Sequence, residues 1–382
     1  MSGSFGRATL AAALLFSSVL MADRATAQQA THYQIDRAHT GSVKMAVPLS
    51  MPFRMLWSAN LHGTVSYPLI ADGRVFAYVL GGKHNSLRAF DARTGDPLWT
   101  EHLPRAMGAV YGQGLVFVLG DDGRLRAFDA ATGHVMWSRA LKGEYVFNEI
   151  PVYSNGAVYV NAAGQDGILF AFNAADGTPT WSHPSRGAMP SLAADDKAIY
   201  GVYGCDHTDA WDPATGAALW SRQGSFTCSA DAQMTVLDGD RGLYAFDSVS
   251  GNLVLNPATG AAVGSFVSQK TPAIGDGVGY FQEGYALKAR VLATQELLWS
   301  WSPPWGSLIS GAPLVIDGHV VLSLTNGVLT TLSRKDGHQT WSFQQRSAPV
   351  DHDTMGIPRT GMAAGEGILA VPTSTRLTVY GN

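Results

Sequence analysis

Asp351-His352-Asp353 is the most concentrated polar cluster in the sequence. Its two carboxylates and one imidazole are groups that bind divalent cations in proteins. Three consecutive side chains do not easily point at one ion, so a metal site here would need further ligands from elsewhere in the chain. A solvated loop is the alternative interpretation. We predict no metal site, and these three residues are the candidates if one is present.

The N-terminal 27 residues have the pattern of a secretory signal peptide. Arg7 supplies a basic start, residues 8–21 form an apolar run, and Ala25-Thr26-Ala27 is a small-residue cleavage site. The apolar run is shorter than the roughly 18 residues that a membrane span needs. We therefore predict a soluble exported protein, periplasmic or secreted, without a membrane span.

Cys205 and Cys228 are the two cysteines of the chain. Cysteines of exported proteins are usually paired, so we predict a disulfide between them, with free thiols as the alternative. The formal net charge is −4 and no basic stripe is present, which argues against a nucleic-acid partner.

A sequence motif of the form apolar-Phe-Asp-Ala-x-Thr-Gly-x-x-x-Trp is repeated along the rest of the chain. It is clearest in residues 89–99 and 127–137, and weaker copies end at later tryptophans. Steps of 38, 44, 39, 79 and 42 residues separate Trp99, Trp137, Trp181, Trp220, Trp299 and Trp341. The step of 79 holds a hidden copy, residues 257–263, with Gly264 at the tryptophan position. A period near 40 with alternating apolar residues and glycine turns predicts an all-β propeller.

Counting the copies predicts eight four-stranded blades. The last blade has only three strands in the C-terminal segment, and residues 54–60, which include Trp57, supply the fourth. Closing the ring in this way removes free sheet edges. We predict residues 1–27 as signal peptide, 28–53 as a lead segment, and 54–382 as one propeller domain. The tryptophans are expected to wedge between neighbouring blades.

Propeller geometry divides the loops between two faces. The turns between the first and second strands, and between the third and fourth, are short and uniform. The second-to-third loops and the links between blades share the other face, and they are longer and irregular. Variable loops on a rigid frame commonly carry function, so we expect the binding site on this irregular face.

The irregular face contains both aromatic and charged candidates. Exposed aromatic residues suit a protein or sugar surface, whereas packing between loops is their alternative role. The candidates for partner binding are Trp305, Tyr145, Phe147, Phe226, Glu149 and Arg359. Paired acids at the channel mouth would instead suit glycoside cleavage, with Glu144, Glu149 and Asp231 as the nearest acids.

The copy at residues 87–99 resembles the repeat of pyrroloquinoline-quinone-type eight-bladed propellers, and residues 33–41 are similar to the segment before their first blade. This family includes quinoprotein alcohol and glucose dehydrogenases. It also includes the propeller lipoprotein of the outer-membrane protein assembly machine, a scaffold without quinone. The resemblance implies, for a dehydrogenase, a Ca²⁺ site and, in the alcohol enzymes, two adjacent cysteines.

Cys205 and Cys228 are not adjacent, and the chain is shorter than those enzymes. The resemblance therefore favours the scaffold branch. We predict a non-catalytic, monomeric binding protein for a protein or polysaccharide partner, with no cofactor and no catalytic residues. The alternatives are a PQQ- and Ca²⁺-dependent oxidoreductase and a carbohydrate-active enzyme.

Overall fold

The computed structural model describes residues 28–81, 84–164, 167–185, 191–203, 207–223, 235–246, 251–347 and 360–382. These residues form eight antiparallel sheets, which are the blades of a propeller and are numbered here in chain order. No helix long and apolar enough to cross a membrane occurs among them. The predicted all-β, eight-bladed architecture is confirmed.

Two strands precede the first blade: β1 (Ser42–Val43) and β2 (Arg54–Asn60). The strands of blade 1 are β3 (Thr64–Val65), β4 (Leu69–Ala71), β5 (Arg74–Leu80), β6 (Ser86–Asp91) and β7 (Pro97–His102). Those of blade 2 are β8 (Val110–Gly112), β9 (Leu115–Leu119), β10 (Arg124–Asp129) and β11 (Val135–Ala140). Those of blade 3 are β12 (Val152–Ser154), β13 (Ala157–Ala162), β14 (Ile168–Asn173) and β15 (Pro179–Pro184).

The next three blades repeat this order from the innermost to the outermost strand. Blade 4 contains β16 (Ser191–Ala194), β17 (Ile199–Tyr203), β18 (His207–Trp211) and β19 (Ala218–Gln223). Blade 5 contains β20 (Val236–Asp238), β21 (Gly242–Ala245), β22 (Leu253–Leu255) and β23 (Ala262–Ser265). Blade 6 contains β24 (Ala273–Gly275), β25 (Val278–Glu283), β26 (Ala286–Val291) and β27 (Leu297–Trp301).

The last two blades incorporate chain from the N-terminal region. Blade 7 contains β28 (Leu314–Ile316), β29 (His319–Ser323), β30 (Val328–Ser333) and β31 (Gln339–Gln344), with β1 parallel to β28. Blade 8 contains β32 (Ala363–Gly365), β33 (Ile368–Thr373) and β34 (Arg376–Gly381), and β2 pairs with β34 as its outermost strand. The ring closes through β2, as the sequence predicts.

The repeated tryptophan joins each blade to the next. In six blades its indole Nε1 donates a hydrogen bond of 2.8–3.1 Å to a carbonyl in the third-to-fourth turn of the following blade. Because the motif has the same spacing in each blade, a glycine of the following blade lies against the indole ring in each case. The tryptophan–glycine pairs are Trp57–Gly95, Trp99–Gly133, Trp137–Gly177, Trp181–Gly216, Trp220–Gly260 and Trp299–Gly337. The expected wedge between blades is confirmed.

Two junctions depart from this pattern. Blade 5 carries Gly264 at the tryptophan position, and the facing turn of blade 6 has Gln295 (φ 60°) where the other turns have glycine. Trp341 of blade 7 faces blade 8, whose outer strand comes from the N-terminus and therefore lacks that turn. Phe53 takes the place of the turn, with its ring centroid 5.0 Å from that of Trp341.

The lead segment circles the ring on the uniform face. It accepts a backbone hydrogen bond from each of the eight blades, in the ring order 8, 1, 2, 3, 4, 5, 6, 7. The donors are Glu366, Ile70, Tyr111, Tyr153, Ala194, Leu237, Ile274 and Val315. Seven of the acceptors are main-chain carbonyls, and the eighth is the ring of His32. Main-chain N–H groups of the innermost strands thus find hydrogen-bond acceptors in the lead segment, without a further sheet.

The lead segment also packs side chains against the blades. Tyr33 is 2% exposed, and its ring lies 5.3 Å from that of Tyr67 in an edge-to-face arrangement. Gln34 and Ile35 both have positive φ, 52° and 76°, and the amide of Asp36 bonds to the carbonyl of Gln34. A β-branched residue such as Ile35 is rare in this region, so tertiary contacts must hold the tight turn.

Candidate binding face

The irregular face is built from links that are tied to the hairpins beneath them. Isolated bridges join Ala106 to Gly120, Val146 to Ala163, and Ile309 to Leu324. Each bridge connects the link that enters a blade with the second-to-third loop of that blade. The described loops of this face are therefore held by main-chain hydrogen bonds, and side chains on them are presented from fixed positions.

Trp305 protrudes from this face. Its relative exposure is 105%, the largest of any apolar residue described. The amide of Ser307 bonds to the carbonyl of Pro304 at 3.1 Å, and Gly306 has a φ of 83°. Trp305 and Gly306 are thus the central residues of a hydrogen-bonded β-turn in which glycine supplies the positive φ. The turn carries a large ring into solvent at a fixed place.

Three further exposed apolar side chains lie on the same face, in the loops of blade 6 and in the links into blades 6 and 7. They are Tyr285 at 75%, Val267 at 61% and Leu308 at 45%. Together with Trp305 we call them the blade 6–7 patch. Val267 lies in the link into blade 6, Tyr285 in the β25–β26 turn, and Leu308 in the link into blade 7.

Hydrogen bonds fix the frame of the blade 6–7 patch. The main-chain amide of Gln269 donates a hydrogen bond of 2.9 Å to the carbonyl of Gln282 in β25. Its side-chain oxygen accepts a hydrogen bond of 3.0 Å from the main-chain amide of Gly284. Leu308 exchanges bonds of 2.9 Å with Thr325 of the next hairpin. Large exposed apolar groups on a fixed frame are typical of protein–protein interfaces.

A charged network lies directly beside Tyr285. Glu283 accepts hydrogen bonds of 2.7 Å from both Lys288 and Arg290. Burial opposes ionisation of Glu283, but these bonds from Arg290 and Lys288 lower its pKa. The one carboxylate and two cations leave a formal charge of +1 beside the patch, and their hydrogen bonds brace the β25–β26 hairpin.

Tyr145 and Phe147 occupy different environments in the link into blade 3. Tyr145 is 69% exposed, and its amide bonds to the carbonyl of Ala163. Phe147 is half-buried and packs over Gly123, where an added Cβ would lie 2.6 Å from the ring. Glu149 is half-buried at the end of the same link. Tyr145 is therefore presented to solvent, whereas Phe147 packs between loops.

Several predicted site residues lie outside the described residues, and their roles stay predictions. They are Cys205, Cys228, Phe226, Asp231, Arg359 and the cluster Asp351-His352-Asp353. Within the described ranges, no group of three His, Cys, Asp or Glu side chains could hold a metal ion.

Tyr285 and Val267 were not among the residues singled out from the sequence. Tyr285 has a recognisable signal, because it stands in the two-residue turn Gly284-Tyr285 between paired strands, where a side chain has nothing to pack against. Val267 has no such signal, since a single valine in a link is equally compatible with packing.

On the uniform face, the lead segment contains a buried imidazole. His32 is 3% exposed; its Nε2 accepts the amide of Tyr153 at 3.0 Å, and its Nδ1 lies 2.8 Å from Oγ1 of Thr31. Burial lowers the pKa of His32 well below 6.5, and the charges of His39 and Arg37 act in the same direction. His32 is therefore a neutral structural acceptor that ties the lead segment to blade 3.

The described residues form a closed propeller whose loop face presents exposed aromatic and aliphatic side chains. The sequence matches the family described as outer membrane protein assembly factor BamB over residues 54–109, 83–209 and 253–381. These regions cover well over half of the chain, and the protein belongs to this family. No curated protein sequence matches the chain.

Solved structures of two kinds share the fold. BamB from Moraxella catarrhalis has a TM-score of 0.62 at 17% identity, covering 86% of this chain and 100% of that one. The quinohemoprotein alcohol dehydrogenase from Comamonas testosteroni has a TM-score of 0.70 at 16% identity, covering 93% and 80%. A europium-containing methanol dehydrogenase has a TM-score of 0.69 at 14% identity, covering 93% and 98%. Identities this low show the fold alone.

Proposed function

We propose that the protein is an exported, non-catalytic scaffold that binds a protein partner through its irregular loop face. Membership of the family described as outer membrane protein assembly factor BamB supports a role in the cell envelope. The predicted signal peptide and disulfide fit an exported protein. A monomer and a polysaccharide partner stay predictions.

The observation that carries this proposal is the full exposure of Trp305 at the tip of a hydrogen-bonded turn. An indole exposed to water contributes little to the stability of the fold, whereas its burial against a partner would remove a large apolar area from solvent. Tyr285, Val267 and Leu308 extend that area across two blades. Protein interfaces concentrate their binding energy in such aromatic anchors.

The experiment is site-specific photo-crosslinking in the native bacterium, with the photoreactive residue at position 305. The matched control carries it at Thr132, which is exposed in a turn of the uniform face. We expect one dominant protein adduct from position 305 and none of that mass from position 132. With the partner identified by mass spectrometry, Trp305→Ala should weaken its binding about tenfold or more.

Three outcomes would contradict the proposal. Equal adducts from positions 305 and 132 would mean that capture is not specific to the loop face. Unchanged binding of the identified partner by Trp305→Ala would remove the proposed anchor. Tight binding of PQQ with Ca²⁺, together with dye-linked oxidation of an alcohol, would make the protein an enzyme instead.

A further inference from the structure

A second surface of interest lies on the circumference of the ring, between blades 2 and 3. It is a groove of about 520 Å³ between β11 on one side and β14 and β15 on the other. Its lining includes Arg124, Arg139 and Lys142 together with the rings of Phe170 and Trp181. No carboxylate side chain is among the described residues that line it.

The cations of the groove are held by neutral groups. Arg139 donates to the carbonyls of Gly177, Asp176 and Ser138 at 2.7, 2.8 and 3.1 Å. Arg124 donates to the hydroxyl of Ser138 at 2.9 Å. These partners fix the guanidinium groups without cancelling their charge. Within the described part of the chain, Lys142 forms no ion pair.

Two carboxylates lie near the groove. Asp122 pairs with Arg126 at 2.5 Å and also interacts with the charge of Arg124. Asp176 accepts a hydrogen bond of 2.8 Å from the amide of Thr178 and interacts with the charge of Arg139. The four cations Arg124, Arg126, Arg139 and Lys142 outnumber these two carboxylates, so a chain with a formal charge of −4 has an excess of positive charge at a groove with an aromatic lining. An occupant that complements it is anionic and carries an apolar group.

The shape and the exposed main chain of the groove favour an extended peptide. Its lining follows four consecutive residues of β15, Pro179–Ser182, a run of about 13 Å at strand spacing. β11, which supplies Ser138, Arg139 and Ala140 to the lining, is the outermost strand of its sheet, and its outer edge pairs with no other described strand. Peptides match the main-chain groups of such an edge by strand addition, whereas a polysaccharide has no matching repeat.

We propose that this groove binds an extended acidic segment of a protein partner. Carboxylates of the segment lie against Arg124, Lys142 and Arg139, and an apolar side chain lies over Phe170 and Trp181. Arg124 and Lys142 are at the end of the groove next to the irregular face, because β10 begins and β11 ends there. The site is distinct from the blade 6–7 patch and does not depend on it.

The test measures fluorescence anisotropy of two labelled peptides with the full mature chain. The acidic probe is fluorescein-Gly-Asp-Glu-Phe-Asp-Glu-Gly, and the neutral probe replaces each acid by its amide. We expect the acidic probe to bind with a dissociation constant in the micromolar range. The neutral probe should bind about tenfold or more weakly, and high salt should weaken binding of the acidic probe by a similar factor. Failure of the acidic probe to bind at about 1 mM would overturn the proposal.

Charge variants locate the binding. The double variant Arg124→Gln with Lys142→Gln should weaken the acidic probe about tenfold. The control, Lys44→Gln with Arg54→Gln, removes two exposed positive charges elsewhere and should leave binding unchanged. Equal losses in both pairs would indicate a general charge effect and contradict the proposal.

A photoreactive benzophenone in place of the probe's phenylalanine then maps the apolar position. We expect adducts on β11 or β15. Adducts confined to other parts of the chain would overturn the assignment. Binding of polygalacturonate that is lost in the Arg124 and Lys142 variant, with no binding of the acidic peptide, would likewise overturn it in favour of an anionic polysaccharide.

Discussion

Trp137 of blade 2 is seated against Gly177 of blade 3, so closely that a Cβ on Gly177 would lie 2.6 Å from Cδ2 of the indole. The indole Nε1 also donates to the carbonyl of Ala174 at 2.8 Å. Two constraints thus act on Gly177: its φ of 69° is strained for any residue with a side chain, and its contact with the ring leaves no space for a Cβ. The same pair recurs around most of the ring.

Gly177→Ala should lower the free energy of unfolding by about 2–4 kcal/mol, because it adds a clash with the ring to the cost of a positive φ. Gly156→Ala is the matched control: its φ is 81°, but an added Cβ meets nothing within 4 Å. The free energy of unfolding of that variant should fall by about 1 kcal/mol. Urea unfolding compares the two, and equal losses would mean that tryptophan packing does not explain the glycine.

Gly264 and Gln295 form the one junction where both members of the pair differ. Gly264→Trp alone should not stabilise the protein, because the Cβ of Gln295 stands where the ring would rest. Combined with Gln295→Gly, it should restore the contact found at the other junctions. A double-mutant cycle by urea unfolding should give a favourable coupling of at least about 1 kcal/mol. Additive effects would contradict this account.

His32 should make stability depend on pH. Its pKa is below 6.5 in the folded protein, so the unfolded chain binds the proton more tightly. The stabilising contribution is complete above pH 6.5 and is lost as pH falls below it, by up to about 1.4 kcal/mol per pH unit. His319, whose pKa burial also lowers, contributes in the same direction.

The comparison that isolates His32 is the variant His32→Gln, measured by thermal unfolding between pH 8 and pH 5. The variant keeps an acceptor near the Tyr153 amide but cannot titrate. We expect the difference in stability between the native chain and the variant to shrink as pH falls. A constant difference across this range would show that His32 does not titrate on unfolding.

The predicted disulfide has a direct stability test. Cys205→Ser should lower the free energy of unfolding by roughly 3 kcal/mol, the value expected for closing a loop of this length. A reducing agent should produce a similar loss in the native chain and none in the variant. The double variant with Cys228→Ser should match the single one. Unfolding that is indifferent to reduction would mean that the bond is absent.

The repeat made the ring predictable, whereas the course of the lead segment was not. Trp57 and Trp99 mark the same position of successive copies, so blade number and the closing strand follow from spacing. The contacts of the lead segment are mostly main-chain hydrogen bonds, which any residue can make and which leave no pattern. The groove between blades 2 and 3 was also missed, because Arg124, Lys142 and Trp181 come together only when two blades are adjacent.

The circuit of the lead segment has a consequence for the order of folding. Residues 28–43 are synthesised before all eight blades, yet their partners extend to Val315 and Glu366. The lead segment therefore cannot reach all of its final contacts until almost all of the propeller has been made. Such a high contact order predicts slow, late consolidation and a long interval in which unfinished blades need protection from aggregation.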